Sequence, residues 1–368
     1  MKILYDHQMS SRQLYGGVSR YFYEISSRIA ATKETQVEIF APLYVNAYLQ
    51  NSGDFNLRGA KVPYLKPMSY PIKLFNTILS RIMLSPRRDV DVFHETYYSM
   101  ADCCPRSAMR VITVFDMIHE KFPESFSRWD RTREAKAYAV HRADHVICIS
   151  ENTRRDLVEI LRVPLDKTSV VKLGYSLLPV QSSAQTTAPP RPYILYVGGR
   201  VGYKNFERLL MVYAQSSALK NEFLLICFGG GGFTAQELSL LKSLDIAANT
   251  VMQLAGNDDV LANLYSSAAA FVFPSLYEGF GIPPLEAMSF GCPVACSNTS
   301  SLPEVVGDAA ELFDPTDEVN MLTAIERIVF SPQRTAELIA DGYDRIKQFS
   351  WDLCARATLD VYNQLLRH

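Results

Sequence analysis

A chain of 368 residues, 48% apolar and 21% charged, has the composition of a folded globular protein and the length of two ordinary domains, which excludes disordered and fibrous classes. Its net charge of −2 is unevenly spread: 25 Lys and Arg stand against 19 Asp and Glu through Lys172, and 12 against 20 from Arg191, so the halves carry +6 and −8. An acidic second half excludes a protein that wraps nucleic acid along its whole length, whereas a basic first half suits an anionic surface or a phosphate-bearing substrate.

The first residues, MKILYDHQ, lack the long apolar core of a signal peptide, and no later stretch offers about 20 uninterrupted apolar residues, so a cytoplasmic protein is expected. MKILY reads as a strand, Gly16 and Gly17 as a turn, and VSRYFYEISSRIA as a helix by its apolar spacing. VEIFAP, DVFHE, RVITVFD, HVICIS and TSVVKLG follow as further strands. Such continuous β-branched runs suit a parallel sheet covered on both faces.

LLPVQSSAQTTAPP, without charge and rich in Ser, Thr, Gln, Ala and Pro, reads as an interdomain linker over 177–190. The alternation then restarts with YILYVGG, FERLLMVYAQSS, FLLICFGG, ELSLLKSL, VMQLAG, VLANLYSSA, AFVFPS, PPLEAMSFG, PVACS and ELFDP. The expected plan is two doubly wound α/β domains, 1–176 and 191–350. A last helix over about 351–368 is free to lie on either. In this class ligands bind at the carboxyl ends of the strands, and a cleft between the domains is the expected active site.

The densest chemical signal is FPSLYEGFGIPPLEAMSFGCPVACS. A strand ends at Phe273, Glu278 to Gly281 form a turn, and Pro283 and Pro284 open a helix. Gly279 and Gly281 allow close approach of a ligand to the backbone, and the free N–H groups of a helix start attract phosphate. Glu278 in the turn and Glu286, expected in the first helical turn, suit sugar and ribose hydroxyls, because carboxylates accept paired hydrogen bonds. A second signal is VGGRVGYKN, where Gly198 and Gly199 end a strand and Arg200 and Lys204 supply two cations. The run Gly229 to Gly232 is a strand-end loop without the GxGxxG pattern.

These segments carry a resemblance. The Glu-x7-Glu of EGFGIPPLEAM is similar to the signature of the retaining GT-B glycosyltransferases of family GT4. YILYVGGRVGYKN, LANLYSSA, VACSNTSSLPEVVGDAAELFDP, GGVSRY and ICISENTRRDL resemble family segments in the same order, over nearly the whole chain. The resemblance implies a GT-B fold of two Rossmann-like domains, the first for the acceptor and the second for a nucleotide sugar. It implies Glu278 on donor-sugar hydroxyls, Glu286 on the ribose, and Arg200 with Lys204 on the diphosphate, so that no metal or other cofactor is required. It also places Gly16, Gly17, Gly199, Gly279, Phe280 and Gly281 against the donor, and Asn257 and Asp258 at the base-binding loop.

The catalytic centre departs from the family pattern. Many relatives carry a histidine after the strand VITVFDMIH, and Phe115 occupies that place here. Asp116 and His119 are the expected substitutes, with the general base left unassigned. His94 and His119 each stand open between a cleft residue and a structural histidine. The resemblance implies a front-face substitution in which the leaving phosphate takes the acceptor proton, and that route needs no strong protein base.

Two metal patterns fail. Asp89-Val90-Asp91 precedes a strand and follows two arginines, unlike a manganese site, and Cys292 and Cys296 lack a second pair of soft ligands at zinc spacing. The seven scattered cysteines read as reduced, mostly buried thiols. From Asn56 to Arg88 there are seven basic residues, Arg58, Lys61, Lys66, Lys73, Arg81, Arg87 and Arg88, and no acid. With the apolar residues of IKLFNTILSRIML, this suits a helix touching an anionic membrane peripherally; a core-facing helix with a solvated edge is the other reading.

The expected function is a retaining, metal-independent glycosyltransferase acting on a glycan or lipid-linked oligosaccharide in O-antigen, capsule or exopolysaccharide biosynthesis. Similarity to mannosyltransferase-like members points to mannose from GDP-mannose, ahead of other GDP- or UDP-sugars. The rival is a noncatalytic relative that binds a nucleotide sugar and partners an active transferase.

Overall fold

The computed structural model describes residues 1–368 apart from 12, 52, 54, 66–68, 176–188, 190, 248 and 368. The expected linker at 177–190, save Pro189, and Lys66 therefore lie outside the described residues. The chain folds as two compact units. The first comprises Met1–Lys121, Phe126–Gly174 and Trp351–His368, and the second Phe122–Ser125 and Tyr175–Ser350.

Seven parallel strands make the sheet of the first unit: β1 Lys2–Tyr5, β2 Gln36–Tyr44, β3 Asn56–Lys61, β4 Val92–Glu95, β5 Met109–Val114, β6 His145–Cys148 and β7 Thr168–Val170, in the order β3-β2-β1-β4-β5-β6-β7. β4 and β6 are buried at every position, as apolar strands covered on both faces must be. β3 was not apparent as a strand. Its sequence, NLRGAK, is almost wholly exposed at the sheet edge, and pairing with β2 holds it in place.

His94 on β4 is fully buried and shares hydrogen bonds with the hydroxyls of Thr113 and Tyr362, while Tyr362 also meets the hydroxyl of Tyr5. This makes it a structural histidine joining the sheet to the last helix, Trp351–Leu365. Burial pushes its pKa down from 6.5 to about 3. The unfolded chain thus binds a proton that the folded chain refuses. Stability conferred by neutral His94 is complete above about pH 6.5 and falls as pH drops toward 3, by up to about 1.4 kcal/mol per pH unit. Melting temperatures of wild type and His94→Gln across that window should show a shallower acid slope in the variant, and parallel slopes would refute this.

Helix Ser69–Leu84 is turned inside out. Its buried stripe includes Asn76 and Ser80, while Leu74, Phe75, Ile78, Ile82 and Met83 are 46–66% exposed. The buried polar groups are satisfied, because Asn76 brackets both the N–H and the carbonyl of Leu43 and Ser80 bonds His7. The apolar face is left largely exposed.

The second unit carries six parallel strands, β8 Tyr193–Val197, β9 Leu224–Phe228, β10 Val251–Leu254, β11 Ala270–Phe273, β12 Val294–Ser297 and β13 Glu311–Phe313, in the order β10-β9-β8-β11-β12-β13. The strand order reverses between β8 and β11, where crossovers leave to opposite sides and open a crevice at the carboxyl ends. All seven cysteines are free, six of them buried. Asp89 pairs with Lys2 and Arg87, and Asp91 accepts the backbone N–H of Lys2.

Candidate active site

In the second unit the loops after β8 and β11 are laced together. Asn205, held at φ 58, ends a short turn at Gly202–Lys204, and its side-chain amide donates to the carbonyls of Pro274 (3.1 Å) and Pro315 (2.8 Å). The N–H of Leu276 donates to the carbonyl of Tyr203 at 2.8 Å. Lys204 Nζ thereby reaches Glu278 Oε1 at 2.7 Å, with the side chains 19% and 12% exposed. The pair is sheltered yet retains some exposed surface.

The EGFG turn is fixed from beneath. Ser300 Oγ accepts the N–H of Glu278 at 2.9 Å, and Ser301 Oγ lies 2.9 and 2.7 Å from the carbonyls of Glu278 and Phe280. Gly279 lies within this turn. Gly281, at φ 120, caps helix Ile282–Ser289, and a Cβ there would stand 2.8 Å from Leu302. The ring of Phe280 is buried edge-on against Phe349. Glu286 falls on the second helical turn, correcting the first-turn expectation, because the helix begins at Ile282, ahead of both prolines. Tyr265 donates to its Oε2 at 3.5 Å.

The two cations of GGRVGYK have separate partners. Where Lys204 meets Glu278, the guanidinium of Arg200 is almost wholly buried, bonds Glu237 Oε1 at 2.5 Å, and donates to the carbonyls of Gly229, Gly231 and Gly232 at 2.9–3.0 Å. Sequence reasoning missed Glu237. Thr234-x-x-Glu237 forms a capping box at the start of helix Ala235–Ser243, and that spacing was its available signal. Gly199 offers its carbonyl to Tyr196. Asn257 caps helix Asp258–Ser267 by accepting from Val260, and Asp258 is its exposed first residue.

The remaining candidates belong to the first unit. Gly16 is extended and caps helix Gly17–Ala30, where Gly17 stands in open space. Phe115, in the place of the absent histidine, turns its ring edge-on to Tyr21 and serves packing. Asp116 caps the short helix Ile118–Lys121 through the N–H of Ile118, and its side chain is 29% exposed. His119 stacks on Phe126 at 3.9 Å, with Nε2 3.8 Å from Asp130. Burial and then the charge of Lys136 hold its pKa below the ordinary histidine range. Lys136, also missed, is fully buried and donates to Glu120 Oε2 (2.7 Å) and the carbonyl of Asp116 (2.8 Å), which fixes the segment bearing both candidates. Beside it a cavity of about 600 Å³ is lined by Tyr70, Lys73, Tyr97, Tyr98, Trp129 and Asp130, among others.

Comparison with known proteins adds the following. Residues 15–177 match the model of Glycosyltransferase Family 4, and residues 181–345 that of Glycosyl transferases group 1. The chain is 28% identical to O-antigen chain mannosyltransferase B of Escherichia coli, over 95% of this chain and 96% of that protein. A partial match, also 28% identical, to serotype-specific mannosyltransferase WbdA of Escherichia coli spans 61% of this chain and 29% of that protein. Among solved structures, sucrose-phosphate synthase from Thermosynechococcus elongatus superposes with a TM-score of 0.74 at 19% identity, covering 100% of this chain and 99% of that one. HepE of Anabaena, in complex with UDP and glucose, gives a TM-score of 0.72 at 18% identity, covering 99% and 100%.

Proposed function

This chain belongs to glycosyltransferase family 4 and the group 1 glycosyl transferases, with the GT-B fold, and we propose that it transfers mannose from GDP-mannose, with retention, to a glycan or lipid-linked oligosaccharide in surface polysaccharide biosynthesis. The observation that carries the chemistry is the Lys204–Glu278 pair at the reversal of strand order. The choice of mannose rests on the mannosyltransferase relatives. In this reading Glu278 exchanges its lysine contact for donor-sugar hydroxyls, Glu286 holds the ribose, and Lys204 meets the charge that develops on the leaving diphosphate. The anomeric carbon breaks its bond to the phosphate oxygen and forms one to the acceptor oxygen on the same face, while the acceptor proton passes to the departing phosphate. Neither a metal nor a strong protein base enters this scheme, with Asp116 and His119 orienting the acceptor.

A panel of GDP- and UDP-sugars, assayed for slow donor hydrolysis and thermal stabilisation with and without EDTA, tests the reading. GDP-mannose should stabilise and turn over in both conditions, and Glu286→Ala should weaken its binding about tenfold or more. Preference for another donor, or unchanged affinity in the variant, overturns the corresponding assignment.

The reading extends to location. No helix among the described residues is long and apolar enough to cross a membrane. Helix Ser69–Leu84 instead presents Leu74, Phe75, Ile78 and Ile82 outward in a segment free of acids, the pattern of a helix lying in an anionic lipid surface. Arg87 is committed to Glu38 and Asp89, so the informative cations are Arg81 and Arg88. Wild type should sediment with phosphatidylglycerol liposomes, and both Phe75→Ser/Ile78→Ser/Ile82→Ser and Arg81→Glu/Arg88→Glu variants should stay in the supernatant. Equal partitioning of all three would refute membrane docking.

A further inference from the structure

Arg200 is held by a carboxylate and by the glycine turn after β9. Its Nε and Nη2 face both oxygens of Glu237 at 2.5 and 3.4 Å, Nη1 donates to the carbonyl of Gly229 at 3.0 Å, and Nη2 donates to those of Gly231 (3.0 Å) and Gly232 (2.9 Å). The rings of Phe233 and Phe206 lie 5.0 and 5.6 Å from its central carbon. Its side chain is 4% exposed and that of Glu237 8%. A guanidinium has five N–H donors in a rigid fork; here Nε, both N–H groups of Nη2 and one of Nη1 go to one carboxylate and three main-chain oxygens.

The turn it grips is built of glycine, the most conformationally permissive residue. Gly229, Gly230 and Gly231 stand at φ 88, 71 and 74, a conformation that only glycine adopts repeatedly without strain. A Cβ on Gly230 would lie 2.7 Å from Arg200 Nη1, so the absence of side chains also makes room for the guanidinium. In a trans peptide the N–H points opposite to the preceding carbonyl. Drawing the carbonyls of Gly229, Gly231 and Gly232 onto Arg200 therefore turns the N–H groups of Gly230, Gly232 and Phe233 away from it. Glu237 is pinned in turn, since it accepts the N–H of Thr234 at 2.7 Å within the capping box.

We propose that Glu237 is a positioning residue of the donor site, holding Arg200 as the organiser of the Gly229–Gly232 turn and leaving Lys204 to carry charge onto the nucleoside diphosphate. This rests on the donor reading above and departs from it in one respect. Arg200 acts through the turn, by geometry, and does not itself contact phosphate. A lysine at 200 would keep the charge and lose the fork. Neutralising Glu237 would loosen the turn and would not release a useful cation.

The experiment compares GDP binding by calorimetry, over a range of salt concentrations, in wild type, Arg200→Lys, Arg200→Ala and Glu237→Gln, with amide exchange of the peptide spanning Gly229 to Thr234 followed in the free proteins. Both arginine variants should lose about tenfold or more in affinity with the salt dependence of wild type. Glu237→Gln should weaken GDP as well, and exchange at Gly229 and Thr234 should rise in all three. Wild-type affinity in Arg200→Lys, a flattened salt dependence in Arg200→Ala, or tighter GDP binding in Glu237→Gln would overturn the proposal, since each marks Arg200 as a direct phosphate ligand. Failure of wild type to bind any nucleoside diphosphate would instead sink the donor reading, and the exchange data would still decide whether the pair holds the turn.

Discussion

Lys204→Ala is expected to lower kcat by about two to three orders of magnitude while changing donor KM far less. The ammonium stands 2.7 Å from a carboxylate that is largely sheltered from water, at the carboxyl ends of β8 and β11. A fixed donor aimed at charge that appears only as the bond to phosphate breaks acts mainly on the transition state, and removing one such donor costs about 10²–10³ in turnover. Lys204→Arg separates charge from placement. The ties made by the Asn205 side-chain amide and the Leu276 N–H set the reach of this side chain to that of lysine, so arginine should restore only part of the rate. Steady-state kinetics with the preferred donor decide the matter, and a large rise in KM at constant kcat would reassign Lys204 to ground-state binding.

Lys136→Ala should destabilise the first unit by about 3–5 kcal/mol and impair activity beyond the loss of folded protein. Both Lys136 and Glu120 have side chains with no exposed surface, and their 2.7 Å contact is a buried ion pair. Breaking such a pair strands a carboxylate in the interior, and that costs more than the pair contributes relative to apolar replacements. Lys136→Met/Glu120→Leu should therefore recover most of the stability. It should not recover activity, because Lys136 also donates to the carbonyl of Asp116 and so fixes the segment carrying Asp116 and His119. Denaturant unfolding and kcat/KM on the same preparations separate the two effects. Recovery of both in the double variant would show that the lysine matters only for stability.

The sequence was most legible where local physics decides. VFHE, HVIC, YILYV and LLICF are strands because nothing but a two-sided interior suits such runs, and they fall where periodicity placed them. β3 was hidden for the converse reason: a polar edge strand owes its conformation to β2, a partner that the residues themselves do not announce. The candidate donor residues were read from motif and strand end together. What escaped was the set of residues that act on other side chains. Glu237, Asn205 and Lys136 each hold a loop through contacts 37 or more residues away, or 16 and 20 in the last case, and no local pattern encodes those distances. His94 shows the same limit, since only Tyr362, 268 residues on, reveals it as structural.

That last contact also bears on how the protein is made. The first unit holds residues up to Gly174 and then Trp351 onward, with Tyr362 closing on Tyr5 and His94 in its interior. A ribosome adding about 5–20 residues per second needs roughly 10–40 s to travel from residue 174 to residue 362. Throughout that interval the early strands lack the helix that completes their core, while the later unit, ending at Ser350, is finished first. The half of the molecule begun first is thus the last to be completed.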